Sequence, residues 1–241
     1  METIDTLFND SLQLVQAASG YRFSLDPILL ADFVCTDGCF NALDLGAGCG
    51  ILSLLLARKH PFLSITGWEF QAQMVERAGR SVLLNGFSET VTIVEADVRC
   101  FRKLVKAGQV DLVATNPPYR LPGNGRISPG DERAAARHEL NGGLAEFLAA
   151  ASWAIKNRGR FAIVYLAERL SELLVGMTAV GIEPKRLRMV HPRPLESARM
   201  VLVEGVKGGK PGLKIEPPLY IYKGDDGNRD YTDEVMRIYA D

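Results

Sequence analysis

Apolar residues along this chain recur with two periods. Short runs rich in β-branched and large apolar side chains occupy 41–45, 63–68, 90–94, 110–115 and 160–166. Between them, over 51–59, 71–84, 99–107 and 144–156, apolar positions return at helical spacing. The alternation predicts a parallel sheet covered by helices on both faces, with right-handed crossovers. A further helix is expected from Ala167 to about Val180. Two strands follow, 184–191 and 198–206, joined by a turn containing Pro192 and Pro194. So short a connection makes the two strands antiparallel, and the sheet should end in a reversed hairpin. Two segments stay irregular, 120–139 and 207–218, both charged and rich in Gly and Pro. A compact domain seldom keeps a structureless loop of about 20 residues without a use for it.

The length of 241 residues suits one domain. It divides into an N-terminal cap (1–40), a core (41–206) and a C-terminal extension (207–241). Hydrophobic residues at 47% and charged residues at 24% are ordinary globular values, which argues against disorder. The net charge of −1 excludes nucleic-acid binding by bulk charge and leaves room for a local basic face. The longest uncharged run, 45–57, is interrupted by Gly46, Gly48 and Gly50 and falls short of the roughly 20 apolar residues of a membrane span. The N-terminus carries acids and no basic region, unlike a secretory signal. Cys35, Cys39, Cys49 and Cys100 form no metal quartet, so reduced thiols, no metal and a cytoplasmic setting are expected.

The first candidate chemistry is the segment Asp44-Leu45-Gly46-Ala47-Gly48-Cys49-Gly50. It follows a strand and opens a helix, where a doubly wound sheet has its ligand crevice. Glycines there let the chain turn sharply and let a ligand approach the backbone. The spacing is G-x-G-x-G, not the G-x-G-x-x-G of dinucleotide enzymes. Asp44 would repel a pyrophosphate but suits an ammonium group. S-adenosylmethionine has such a group, together with a ribose and an adenine, and no phosphate. Glu69 ends the next strand, 23 positions after Gly46, where an acid hydrogen-bonds ribose hydroxyls. Asp97, after the third strand, is a candidate acceptor for the adenine amine or an N-cap for the helix beginning near Val98.

The second is Asn116-Pro117-Pro118-Tyr119, directly after the fourth strand. An aryl amine is a poor nucleophile because its lone pair is delocalised into the ring. Two acceptors, the Asn116 side-chain oxygen and the Pro117 carbonyl, would bind the two N–H donors and localise the lone pair toward a methyl donor. Proline holds such acceptors in place, and Tyr119 offers a flat face for a flipped-out base. The tetrapeptide resembles that of the class I S-adenosylmethionine-dependent amino-methyltransferases.

A closer resemblance runs over nearly the whole chain. It is carried by Gly20-Tyr21-Arg22-Phe23-Ser24-Leu25-Asp26-Pro27-Ile28-Leu29-Leu30-Ala31, Ala136-Arg137-His138-Glu139, Lys207-Gly208-Gly209-Lys210-Pro211-Gly212-Leu213-Lys214 and Pro217-Pro218-Leu219-Tyr220-Ile221-Tyr222. These segments are similar to the bacterial tRNA1(Val) adenine-N6-methyltransferase family, whose members methylate the adenosine 3′ of the anticodon. The resemblance implies a Rossmann-like α/β fold with a mostly parallel seven-stranded sheet. It implies a cofactor site of Arg22, Phe23, Asp26, Asp44, Gly46, Gly48, Gly50, Glu69, Phe70, Asp97, Val98 and Asn116. The catalytic segment would be Asn116, Pro117, Pro118 and Tyr119, and the partner a tRNA, bound at its anticodon stem-loop. A protein glutamine-N5 methyltransferase poses the same nitrogen chemistry, but that group usually carries a large helical domain before the glycine loop. A module binding cofactor and RNA without turnover is the non-enzymatic alternative.

Charge is unevenly spread. From Lys185 to Lys214 there are eight Lys/Arg against Glu196 and Glu204. Such local excess marks a phosphate-binding face. Arg193, Lys207, Lys210 and Lys214 are candidate RNA contacts there. Arg120 and Arg126 are candidates in the loop after the catalytic segment.

Overall fold

A computed structural model of the chain describes residues 2–8, 11–18, 24–118, 143–224 and 229–240. It begins with a hairpin, β1 (Glu2–Leu7) and β2 (Leu12–Ala17), followed by α1 (Asp26–Phe33). The alternating core is β3 (Asn41–Leu45), α2 (Ile51–Lys59), β4 (Ser64–Glu69), α3 (Ala72–Leu84) and β5 (Val91–Glu95). A 3₁₀ turn leads through α4 (Phe101–Leu104) to β6 (Val110–Thr115), and α5 (Leu144–Ala154) runs straight into β7 (Ile155–Leu166). Then come α6 (Leu170–Ala179), β8 (Ile182–His191), β9 (Met200–Lys207), the two-residue strands β10 (Lys214–Ile215) and β11 (Leu219–Tyr220), and α7 (Asp233–Ala240).

The main sheet has the order β10-β8-β9-β7-β6-β3-β4-β5, with β11 also on β8. Strands β3 to β9 are the seven expected from the sequence; the two short strands extend the sheet at the β8 edge. The expected hairpin is present, but only β9 is reversed. It pairs antiparallel with both β7 and β8, so β8 runs in the same sense as the rest. Central strands are nearly continuous apolar runs because both faces are covered. In β6 only Asp111 is partly exposed. One core cluster holds α1, α2, the N-terminal hairpin and α7 against one face. The other holds α5 and α6 against the opposite face.

Two polar arrangements fix the periphery. Strand β2 is tied to α3 by side chains: Val15 N–H donates to Ser81 Oγ (2.9 Å) and Gln13 N–H to Asn85 Oδ1 (2.9 Å). In the middle of β9, Glu204 is buried to 1% exposure. Its carboxylate accepts from Arg160 on β7 (3.0 Å), Arg186 on β8 (3.4 Å) and the Cys35 N–H just after α1 (3.0 Å).

The reversal of β9 also sorts residues between the two edges of the sheet. Met200 pairs with Leu166 at the end of β7, three residues beyond the Ile163 that faces Thr115 at the end of β6. The 192–199 turn therefore lies at the edge formed by the carboxyl ends of the parallel strands. Lys207 pairs with Ile182, at the opposite edge. Strand β9 spans 8 residues, so its ends are roughly 23 Å apart.

Glu204→Ala should destabilise the chain by about 3–5 kcal/mol in denaturant unfolding, because two guanidinium groups lose their shared buried partner. Glu204→Gln, which keeps the shape and one acceptor, should cost clearly less. Equal costs would mean that packing, not charge, holds this joint.

Candidate active site

The sheet order changes direction between β3 and β6. From β3 the chain winds outward through β4 and β5, then returns to lay β6 on the other side of β3. The carboxyl ends of β3 and β6 thus splay apart into the crevice characteristic of this architecture. Thr115, at the end of β6, donates its hydroxyl to the Leu45 carbonyl (2.7 Å) and holds the two ends level. Gly46 and Asn116 follow as neighbours.

The glycine loop is held by the end of β4. The N–H groups of Gly46 and Ala47 both donate to the Trp68 carbonyl (2.9 and 2.8 Å). Gly48 N–H donates to Glu69 Oε2 (2.9 Å), and Gln71 N–H to Glu69 Oε1 (2.8 Å). Gly46 and Gly48 have φ of +74° and +57°, a left-handed backbone that side chains disfavour. A Cβ on Gly48 would point into open space, so this stretch of backbone is accessible to a ligand. Gly50 (φ +83°) sits against Ala78, where a Cβ would come within 3.1 Å.

The crevice encloses about 840 Å³, its open mouth included. Its lining brings together Asp44, Gly46, Gly48, Glu69, Phe70, Val98, Asn116 and Pro118 from the sequence expectation. It adds residues that the motif did not mark, among them Met74 of α3 and Phe147 of α5. Both read in sequence as ordinary apolar positions of amphipathic helices. Pro27, at the start of α1, closes the crevice beside Asp26, whose carboxylate accepts from Ser24 Oγ (2.7 Å). Arg22, Phe23, Tyr119, Arg120 and Arg126 lie outside the described residues.

Two acids give the crevice its electrostatics. Asp44 is 1% exposed, and its Oδ2 accepts from the Ser53 hydroxyl (2.7 Å). Burial pushes its pKa up to about 7, against the pull of the Ser53 bonds. A cation entering the crevice would relieve that cost. Glu69 is likewise buried, which raises its pKa, while the N–H groups of Gln71 and Gly48 oppose the rise. Each carboxylate oxygen keeps a lone pair for further donors, such as a pair of vicinal hydroxyls. Asp97 behaves differently. It caps the 3₁₀ turn through Arg99 N–H (2.9 Å) and pairs with the Arg99 guanidinium (2.6 Å), which holds its pKa down. Its neighbours Ala96 and Val98 reach the crevice lining.

Asn116, just beyond β6, also lines the crevice. Its Oδ1 is buried and has no hydrogen-bond partner among the described residues. An unsatisfied buried acceptor costs about 1–3 kcal/mol, so one at a crevice wall is an acceptor waiting for a donor. Among the described residues the crevice thus brings together two buried acids, apolar surface and an acceptor without a partner.

The basic face expected from the sequence is largely consumed internally. Arg186 pairs with Glu204 and Glu216, Arg188 with Glu234 (2.6 Å), and Arg193 with Glu196 (2.8 Å). The Lys207 ammonium donates to the carbonyls of Ser152 and Ile155 at the end of α5 (2.6 and 2.9 Å). Lys210 and Lys214 are exposed, with Lys210 beyond the edge remote from the crevice and Lys214 midway along β8.

Residues 27–173, which include every described wall of this crevice, match the family model described as methyltransferase small domain. The tRNA1(Val) (adenine(37)-N6)-methyltransferase of Aeromonas hydrophila is 30% identical over 220 residues, covering 90% of this chain and 88% of that protein. Its counterpart from Dyadobacter fermentans is 27% identical over 209 residues, covering 82% and 85%. Among solved structures, a predicted O-methyltransferase from Agrobacterium tumefaciens superposes with a TM-score of 0.71 at 24% identity, covering 89% of this chain and 95% of that one. An S-adenosylmethionine-dependent methyltransferase from Aquifex aeolicus gives 0.54 at 17% identity, covering 76% and 89%. These structures share the fold, and the relatives match over nearly their full length. The chain therefore belongs to the methyltransferase small domain family and, within it, to the tRNA1(Val) (adenine(37)-N6)-methyltransferases.

Proposed function

We propose that this protein is a cytoplasmic enzyme that transfers a methyl group from S-adenosylmethionine to the exocyclic N6 of an adenosine in tRNA, next to the anticodon. The observation that carries this reading is the Asn116 Oδ1 at the wall of the crevice, buried and without a partner among the described residues. The relatives carry the same activity in their names.

The residues fit the cofactor. Asp44 suits the α-amino group, Glu69 the ribose hydroxyls, and the bare Gly48 backbone a close approach. Phe70 and Val98 supply apolar surface for the adenine, with the backbone around Asp97 beside it. The bound cofactor supplies an activated methyl group on a sulfonium. The chain's part is to bind and orient. Asn116 Oδ1 and the Pro117 carbonyl accept the two N–H bonds of the adenine amine and turn its lone pair toward the methyl group. Pro117 and Pro118 restrict the backbone so that the acceptors are set before the base arrives. Tyr119 stacks on the flipped base. Arg22, Phe23 and Asp26 are proposed at the methionine end.

Two substitutions separate binding from chemistry. Asn116→Ala should lower kcat for tRNA methylation by about 10²–10³-fold while calorimetry still registers cofactor binding. Unchanged methylation would remove Asn116 from the reaction. Asp44→Asn should weaken cofactor binding by about 10–100-fold, the worth of a charge-assisted hydrogen bond.

The pH dependence has a defined sign. An acid whose native pKa is raised costs the ligand-free fold stability as pH rises toward about 7. Ligand-free Asp44→Asn should therefore melt several degrees above the native chain at pH 8, with the gap closing near pH 4. Cofactor affinity of the native chain should strengthen between pH 6 and pH 8 as Asp44 ionises. A flat profile would show that Asp44 does not meet the ammonium group.

A further inference from the structure

The 192–199 turn between β8 and β9 has no part in the chemistry above, yet it is firmly braced. It lies at the carboxyl edge of the sheet, and β9 is separated from β6 by β7 alone. Two strand spacings, roughly 10 Å, separate β9, where the turn ends, from β6, where the Asn116–Pro118 segment begins. The turn's tip, Leu195, is 84% exposed. At its end Arg199 is exposed, and among the described residues its side chain has no hydrogen-bond or ion-pair partner. The Arg199 backbone is fixed, with its N–H on the Val190 carbonyl (2.9 Å) and its carbonyl accepting from Ala167 N–H (3.0 Å).

The rest of the turn is held from within. Arg193 is turned inward, paired with Glu196 (2.8 Å) and laid over the Tyr222 ring at 5.3 Å. His191 Nδ1 hydrogen-bonds the Glu196 carbonyl (2.8 Å). Behind Tyr222 the rings form a column: Tyr222 stacks on Tyr231 (5.6 Å), and Tyr231 on Tyr239 of α7 (5.5 Å). The extension thus stiffens a turn whose apolar tip Leu195 and terminal Arg199 are both exposed. A stiff element presenting a leucine and an arginine beside a base-accepting crevice matches what an unstacked RNA loop offers. When one base leaves the stack, its neighbours expose apolar faces that a small wedge can cover, and their phosphates need a cation.

Resting on the tRNA reading above, we propose that this turn is the enzyme's loop-contacting element. Leu195 covers the bases left exposed beside the flipped adenosine, Arg199 neutralises a phosphate of the same loop, and Arg193 is a positioning residue acting through Tyr222. This moves the principal RNA contact to the crevice edge of the sheet, away from Lys207.

The test is binding of unmodified tRNA1(Val) transcript to full-length chains, by fluorescence anisotropy across a salt series, with cofactor affinity measured in parallel. Leu195→Ser and Arg199→Ala should each weaken tRNA binding by about tenfold and leave cofactor affinity unchanged. Arg199→Ala should also reduce the salt slope by about one ion. Tyr222→Ala should weaken tRNA binding, and Tyr222→Phe, which keeps the ring, should restore it. Native-like affinity and salt slope in both Leu195→Ser and Arg199→Ala would overturn this assignment alone. Absence of tRNA binding by the native chain would overturn it together with the reading on which it rests.

Discussion

The crevice depends on one carboxylate. Glu69, at the end of β4, accepts the N–H of Gly48 through one oxygen and that of Gln71 through the other. This fastens a loop of left-handed glycines to the neighbouring strand and keeps its backbone open toward the ligand. Without that anchor the loop is tied to β4 by the two bonds to the Trp68 carbonyl, besides its own Gly50 N–H bond to the Ala47 carbonyl. Gly67 lets β4 lie close enough, since a Cβ there would come within 2.5 Å of Ile93 and 3.0 Å of Ala47. An acid at the end of β4 therefore does structural service before any ribose is bound.

The fold leaves the acceptor open. Structures that superpose on this chain include a predicted O-methyltransferase, so the doubly wound sheet alone does not select nitrogen. On the function proposed above, selection rests on the residues just beyond β6: a hydroxyl has one proton to place, whereas an amine has two, and the segment beginning at Asn116 supplies paired acceptors. The Thr115 bond to the Leu45 carbonyl sets those acceptors at the height of the glycine loop. The glycine loop and the Asn116 segment are thus aligned by the β3–β6 ladder and the buried Thr115 hydroxyl.

The core was legible because buried parallel strands leave little choice of residue. Continuous apolar runs marked β3 to β7 to within a few positions, apart from the early start of β7, where Arg158 takes a positive φ of 68°. The hydrophilic exceptions, Asp44 and Glu69, stood out for the same reason. The periphery was less legible. Strand β1 is half exposed along its length, and its partner β2 is held by Ser81 and Asn85, more than sixty residues away. The pairing within the basic stretch was not legible either, because a count of charges does not see partners. Glu216 and Glu234, which engage Arg186 and Arg188, fall outside the counted stretch, and backbone carbonyls take up Lys207. Reading the direction of β9 was needed to see which basic residues share an edge with the crevice.

The most direct test is chemical. Incubation of the purified chain with S-adenosylmethionine and tRNA lacking the modification, followed by nucleoside mass analysis, should yield N6-methyladenosine, with the mark mapping to the adenosine 3′ of the anticodon. Methylation at another atom, in protein alone, or in neither would contradict it.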